Sequence, residues 1–418
     1  MLVGLFGASS SRHDAERSLD ELAGLAAAAG AAVVTRVLQE RARPEPSTFL
    51  GSGKVRELAA LCAESDIDVV IVDNELTPTQ LRTLESKLET KVVDRTQLIL
   101  DIFARRARTR EGKGQVELAQ LTYLLPRLAG SGAALSRLGG GIGTRGPGET
   151  KLETDRRRIR ARIQAVAREI DHVRQRRTRL RERRQKQLVP TVALVGYTNA
   201  GKTTLFNRWT HADAAASDAL FVTLDPLSRQ VTLPDGRTFL LSDTVGFIDR
   251  LPHELVAAFR ATLEEVLDAD LVLHVIDASS PNRDQQVQAV RRVLEEVGAS
   301  DVPVVDVYNK IDAVTPDECR RLRLLAPEAF CISARTGEGL QALGEMLSAR
   351  LRPDTRRLTF SFDPASTADH QRIALLYRRA RVLSHSSEGG RTVIEADVPG
   401  RFVDEVLSQP VEASSGAT

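Results

Sequence analysis

The sequence predicts an α/β protein in four successive parts: a small α/β unit, a long antiparallel helical hairpin, a larger α/β unit and a small α+β unit. Three observations carry this. Short β-branched runs alternate with helix-type segments over residues 1–108 and again over 190–352, the pattern of parallel sheets covered by helices. Between them, residues 109–189 repeat apolar side chains at steps of three and four on either side of a glycine-rich stretch. A chain of 418 residues has room for such a division, at about 100–200 residues per domain.

In the first unit, Val3–Phe6, Ala32–Leu38, Asp68–Val72 and Lys91–Val93 read as strands. Ala15–Ala29, Val55–Ala63, Pro78–Leu88 and Thr96–Ala107 read as the helices between them. Thr77-Pro78 is a good helix start, because a hydroxyl caps the first turn and proline lacks an N–H where none is needed.

In the second part, Leu118, Leu121, Leu125 and Leu128 line one helix, which Pro126 should kink or end. Gly130–Gly148 follows, too rich in glycine for a helix or a core. Then Ile159, Ile163, Val166, Ile170, Val173, Arg177 and Leu180 form a heptad seam broken once, by arginine. A helix from Leu152 to Gln187 would be roughly 54 Å long at 1.5 Å per residue. From Lys151 to Pro190 there are 15 Lys and Arg against five Asp and Glu. A solvated coiled-coil face would mix signs, so this excess predicts a polyanion partner, with RNA the leading candidate. Arg137, Arg145, Lys151, Arg156, Arg157 and Arg158 are the candidate RNA contacts. The last unit, residues 353–418, reads as a strand at Leu358–Phe362, a helix around His370–Leu383, a strand at Thr392–Ala396 and a fraying tail.

Composition narrows the function classes. Hydrophobic residues at 42% and charged residues at 27% describe a globular chain. No apolar run approaches the roughly 20 residues of a membrane span, and the opening MLVGLFGASS lacks the basic start of a signal peptide. Three cysteines without metal-type spacing fit a reducing cytosol. A cytoplasmic, monomeric protein is expected, without stable membrane insertion or DNA binding; peripheral membrane association stays open. Only eight of the 58 cations are lysine, so each lysine invites the question of why arginine would not serve.

The larger unit supplies the chemistry. The apolar strand Val192–Val195 runs into Gly196-Tyr197-Thr198-Asn199-Ala200-Gly201-Lys202-Thr203 and then a helix-type segment. That is a phosphate-binding loop in its required strand–loop–helix setting. Backbone N–H groups would cradle the phosphates, Lys202 would bridge the β- and γ-phosphates, and Thr203 would bind Mg²⁺. Asp243-Thr244-Val245-Gly246 ends a later strand, fed by a hairpin with its turn at Pro234-Asp235-Gly236. Asp243 would reach Mg²⁺ through water, and the Gly246 N–H would meet the γ-phosphate. Asn309-Lys310-Ile311-Asp312 follows the run Val302–Val307. Its aspartate can accept two hydrogen bonds from guanine, whereas adenine would leave it unpaired. Ser333-Ala334-Arg335 stands where a loop N–H would meet guanine O6. Four motifs in order predict a Ras-like P-loop GTPase domain that binds GTP and GDP. Lys202 and Lys310 sit where a compact ammonium fits and a planar guanidinium does not.

Among Thr210, Thr223 and Thr232, only Thr223 lies in the loop between the first helix and the hairpin, so it is assigned to Mg²⁺. Phe247 follows Gly246 where many GTPases carry glutamine. A phenyl ring cannot orient water, so unassisted hydrolysis should be slow. The same ring could equally be a core residue beside the loop.

The chain resembles the HflX family of ribosome-associated GTPases over residues 1 to about 350. The resemblance rests on LGSGKVREL (Leu50–Leu58), EGKGQVELAQLTYLLPRL (Glu111–Leu128), GGGIGTRGPGETKLETDRRRI (Gly139–Ile159), GYTNAGKTTLFN and DTVGFI. The family's aromatic-ATLDP form is matched by Phe221-Val222-Thr223-Leu224-Asp225-Pro226, in agreement with Thr223. The resemblance implies a protein that binds the large ribosomal subunit and, loaded with GTP, splits stalled or stress-damaged ribosomes, which would also stimulate its hydrolysis. In related GTPases without the glutamine, the position of Asn199 helps hold a potassium ion; the alternative is that Asn199 braces the loop by hydrogen bonding. LGSGKV is no second phosphate loop, because Thr48 stands at the required first glycine and Val55 at the metal-binding hydroxyl. An ATP-dependent rRNA remodeller and a regulatory switch acting on protein effectors are the alternative functions.

Overall fold

The computed structural model describes residues 1–7, 11–128, 147–186, 189–212, 220–221, 227–249, 265–351, 355–364, 366–399 and 402–403. Side chains at 147–152 and 174–186 lie outside the description.

The first unit is a parallel four-stranded sheet in the order β2-β1-β3-β4, from β1 (Leu2–Phe6), β2 (Arg36–Glu40), β3 (Val69–Val72) and β4 (Lys91–Asp94). Its second strand begins at Arg36, paired with Leu2, four residues later than the sequence suggests, and Val34 is left exposed. Helices α1 (Arg12–Ala28), α2 (Ser52–Glu64), α3 (Pro78–Leu88) and α4 (Arg95–Arg106) connect and cover the strands. Ser11 with Asp14, and Thr77 with Gln80, form reciprocal caps that satisfy first-turn N–H groups of α1 and α3.

Helix α5 (Arg110–Arg127) and helix α6 (Pro147–Lys186) run antiparallel. Arg110 pairs with Glu169 at 3.3 Å, and Arg162 with Glu117 at 2.6 Å. Gly114 faces Ile170 and Val166 across the seam, where an added Cβ would make ordinary van der Waals contact at 3.5 Å and 3.9 Å. Val166 is buried in the seam while Ile159, Ile163, Ile170 and Val173 are half-buried; Arg177 and Leu180 carry side chains outside the description. Pro126 sits in the last turn of α5 without ending it earlier. The long helix starts at Pro147, not Leu152, and so takes up the end of the glycine-rich segment. Proline at a first helical position explains the earlier start.

The larger unit is a six-stranded sheet in the order β10-β9-β8-β5-β7-β6. It is built from β5 (Thr191–Gly196), β6 (Leu227–Thr232), β7 (Thr238–Asp243), β8 (Leu271–Asp277), β9 (Val304–Asn309) and β10 (Phe330–Cys331). All pairs are parallel except the β6–β7 hairpin, whose turn has Gly236 at φ 82°. Around it lie α7 (Lys202–Thr210), α8 (Arg283–Glu296), α9 (Pro316–Leu325) and α10 (Leu340–Arg350). This is the Ras-like P-loop arrangement.

The last unit is an antiparallel sheet in the order β11-β13-β12, from β11 (Thr355–Phe362), β12 (Arg381–Glu388) and β13 (Arg391–Pro399), with α11 (Thr367–Arg379). Here the sequence reading is corrected: the helix stops at Arg379, and the stretch assigned to its end begins a strand. Gly389 and Gly390, both at positive φ, make the two-residue turn that folds β12 back on β13.

One apolar core runs across the boundary between the first unit and the larger one. Leu22, Leu25 and Phe103 belong to the same buried cluster as Tyr197, Phe247 and Ile248.

Candidate functional site

Two glycines shape the loop after β5, one against backbone and one against a buried amide. At Gly196, φ 153°, a Cβ would lie 2.2 Å from the Val275 carbonyl oxygen. At Gly201, φ 92°, it would lie 2.2 Å from Asn309 Nδ2. Lys202 is buried and donates from Nζ to the carbonyls of Gly196 at 3.0 Å and Tyr197 at 2.9 Å. Burial pushes its ammonium down to about 8, and the negative charge of Asp243 works against that shift.

Thr203 Oγ1 donates to Asp243 Oδ2 at 2.8 Å. This joins the hydroxyl and the carboxylate expected to serve Mg²⁺, a hard oxygen donor set suited to that ion. Thr244 Oγ1 donates to the Leu194 carbonyl at 2.6 Å, fixing the segment against β5, and Val245 is buried. Gly246 presses on the phosphate loop: a Cβ there would be 3.0 Å from Thr198 Cα and 3.2 Å from Lys202 Nζ. The ring of Phe247 is 1% exposed and lies in the shared core, turned to packing.

The base side is equally tied. Asn309 donates from Nδ2 to the Ala200 carbonyl and accepts the Ala334 N–H at Oδ1, both at 2.9 Å. A single buried amide thus joins the phosphate loop, the β9 end and the Ser333-Ala334-Arg335 loop. Asp312 accepts from Ser333 Oγ at 2.7 Å and pairs with Arg335 at 2.6 Å. The serine hydroxyl first, then the guanidinium, hold its carboxyl below the ordinary value, so it stands ready as a charged acceptor. Lys310, at φ 64°, pairs with Asp277 at 2.8 Å, and Ile311 is buried.

Asn199, at φ 60°, is exposed, and its side chain makes no hydrogen bond among the described residues. Phe221 is buried with its ring edge-on to Phe103, centroids 4.6 Å apart. Val222, Thr223, Leu224 and Asp225 lie outside the described residues, as do Arg137 and Arg145. Lys151 lies on α6; Arg157 and Arg158 are exposed and Arg156 half-buried on the same helix.

A set of polar contacts between the first unit and this site has no signature in the sequence. Tyr197, Glu21, Arg95 and Asp249 converge there, beside a cleft of about 940 Å³ between α1 and α8 that reaches Thr198 and Asn199. Sequence separations of 154 and 176 residues put them beyond any local pattern.

Family models match the chain in succession: the GTP-binding GTPase N-terminal region at residues 16–104, its middle region at 106–184, and the 50S ribosome-binding GTPase at 191–310. GTPase HflX of Caldanaerobacter subterraneus is 47% identical over 385 residues, 92% of this chain and 88% of that protein. The chain belongs to the HflX family of GTPases. GTPase HflX of Escherichia coli is likewise 47% identical, over 348 residues, 83% of this chain and 82% of that protein. The crystal structure of SsGBP with GDP aligns at a TM-score of 0.49 and 25% identity, over 83% of this chain and 97% of that one. As in other HflX proteins, the family and fold make this a GTP-binding, GTP-hydrolysing chain. Among its described residues no helix is long and apolar enough to cross a membrane.

Proposed function

We propose that this protein is a cytoplasmic, monomeric GTPase that docks on the large ribosomal subunit in its GTP-bound form and splits stalled ribosomes. The carrying observation is the pairing of a tied nucleotide site with a basic arm. The Asn309 amide joins phosphate and base loops, while α6 presents Arg157 and Arg158 to solvent.

In this reading Lys202 bridges the β- and γ-phosphates and polarises the leaving oxygen. Thr203, Thr223 and Asp243, the last through water, would hold Mg²⁺, which would offset phosphate charge, and the Gly246 N–H would receive the γ-phosphate. The phosphate-loop backbone from Gly196 to Thr203 cradles the phosphates, while Asp312 accepts from guanine and the Ser333–Arg335 loop faces O6. Phe221, Val222, Thr223, Leu224 and Asp225 contribute to the GTP site. Because the Phe247 ring is committed to the core, water is not oriented from that position and hydrolysis alone is slow. Asn199, exposed and without a side-chain hydrogen bond among the described residues, would hold K⁺ beside the phosphates, the alternative being that it braces the loop.

The arm from Arg137 to Arg158 contacts rRNA phosphates, and subunit contact accelerates hydrolysis. Pelleting with purified large subunits tests the reading. Retention with a non-hydrolysable GTP analogue well above that with GDP, weakening steeply with salt, supports it; equal retention with both nucleotides refutes it.

A further inference from the structure

Arg95, the first residue of α4, is almost fully buried and sits between two carboxylates. Its Nη1 donates to Asp73 Oδ1 at 2.9 Å, and its Nη2 pairs with Glu21 of α1. The same Nη2 donates to the carbonyl oxygen of Asp249 at 3.1 Å. The Tyr197 hydroxyl completes the set, donating to Glu21 Oε1 and accepting the Asp249 N–H at 2.8 Å. Both backbone polar groups of Asp249 are therefore held, one by the first unit directly and one through Tyr197.

Asp249 lies three residues beyond Gly246, and the intervening chain is zipped to the phosphate loop. The Phe247 N–H donates to the Gly196 carbonyl at 3.1 Å, and its carbonyl accepts the Thr198 N–H at 2.7 Å. Gly246 has no slack against Thr198 and Lys202. A γ-phosphate that draws on the Gly246 N–H must move a segment whose far end is fastened to Glu21 and Arg95. GDP, lacking that phosphate, makes no such demand. Burial raises the Glu21 carboxyl above its ordinary value while Arg95 and then Tyr197 pull it back, the balance of a group that depends on its partners.

We propose that Tyr197, Glu21 and Arg95 are positioning residues that form the joint through which γ-phosphate occupancy is felt by the first unit. The inference rests on the GTP-binding reading above and names the residues that transmit it. A ligand acts across a protein only through a differential interaction with two states. Here the differential contact is the Gly246 N–H, and the responding element is the Asp249 backbone with its three partners. By reciprocity, whatever displaces α1 or α4 changes affinity for GTP relative to GDP by the same factor.

Hydrogen exchange of the full-length protein tests this, comparing GDP with a non-hydrolysable GTP analogue. In wild type, amides of α1 and α4 should exchange differently in the two complexes. Tyr197→Phe removes one oxygen and keeps the ring in the core, so that difference should fall well below its wild-type size, the direct Arg95 contact to the Asp249 carbonyl remaining. Arg95→Met breaks the joint from the other side and should give the same loss. Should Arg95→Met fail to fold, Tyr197→Phe decides alone. An undiminished GTP–GDP difference in Tyr197→Phe, or no difference at α1 and α4 in wild type, overturns the proposal. Failure of wild type to bind either guanine nucleotide would instead overturn the reading on which it rests.

Discussion

Replacing Asn309 by alanine removes an amide that is 2% exposed and satisfies two backbone groups on different loops. The Ala200 carbonyl loses its donor and the Ala334 N–H its acceptor. Leaving a buried polar group unsatisfied costs about 1–3 kcal/mol. Two such groups, partly relieved by water entering the gap, give a loss of about 2–4 kcal/mol. In a unit of this size each kcal/mol lowers the melting temperature by about 2–4 °C, so a fall of about 10 °C is expected. GDP affinity should fall by roughly 30-fold or more if about 2 kcal/mol of the loss is felt at the bound state. Thermal unfolding with and without GDP, and titration with a fluorescent GDP, measure the two effects. Asn309→Asp keeps an acceptor for Ala334 but buries a charge against the Ala200 carbonyl, so it should be at least as damaging. A melting temperature within 2 °C of wild type together with GDP affinity within threefold would refute the reasoning.

Asp312→Asn should lower GTP affinity by a large factor and raise that for xanthosine triphosphate, read by competition; an unchanged GTP affinity would remove Asp312 from the base site. Phe247→Gln should not accelerate hydrolysis, because the side chain is enclosed in the shared core; instead it should destabilise the fold by about 2–4 kcal/mol through lost packing and a buried amide, measured by denaturant unfolding. Neutralising Arg156, Arg157 and Arg158 should weaken large-subunit binding and flatten its salt dependence while GDP affinity stays near wild type. Potassium should accelerate turnover over sodium in wild type but not in Asn199→Ala, and equal rates in both salts would exclude the ion from the site.

The nucleotide motifs were legible because phosphate and guanine chemistry demands fixed residue types at fixed local spacing. Gly201 and Asn309 show what spacing cannot reveal. Their motifs are readable separately, yet only the fold shows that the missing Cβ of one makes room for the amide of the other. Helix α3 was legible to the residue because Thr77, Pro78 and Gln80 act within one turn. Strand β12 was missed because its sequence continues smoothly from a helix, and the decisive signal, Gly389-Gly390, lies at its far end. The Arg95 set was illegible for a different reason: an arginine, a tyrosine and two carboxylates scattered along the chain carry no period and acquire meaning only when two units pack together.

The corner between β4 and α4 has a mechanical consequence. Asp94 accepts the Leu76 N–H at 3.1 Å and lies 3.5 Å from Arg127, in the last turn of α5 before the glycine-rich segment. The Arg127 guanidinium also caps the ring of Tyr123, 3.4 Å from its centroid, and donates to the Leu76 carbonyl. Asp94 and Arg95 are consecutive, so one planar peptide unit separates the grip on the arm from the grip on Asp249. The two grips hang from neighbouring residues like two ropes from one cleat, so a pull on the arm and a pull on the segment after Gly246 load the same anchor.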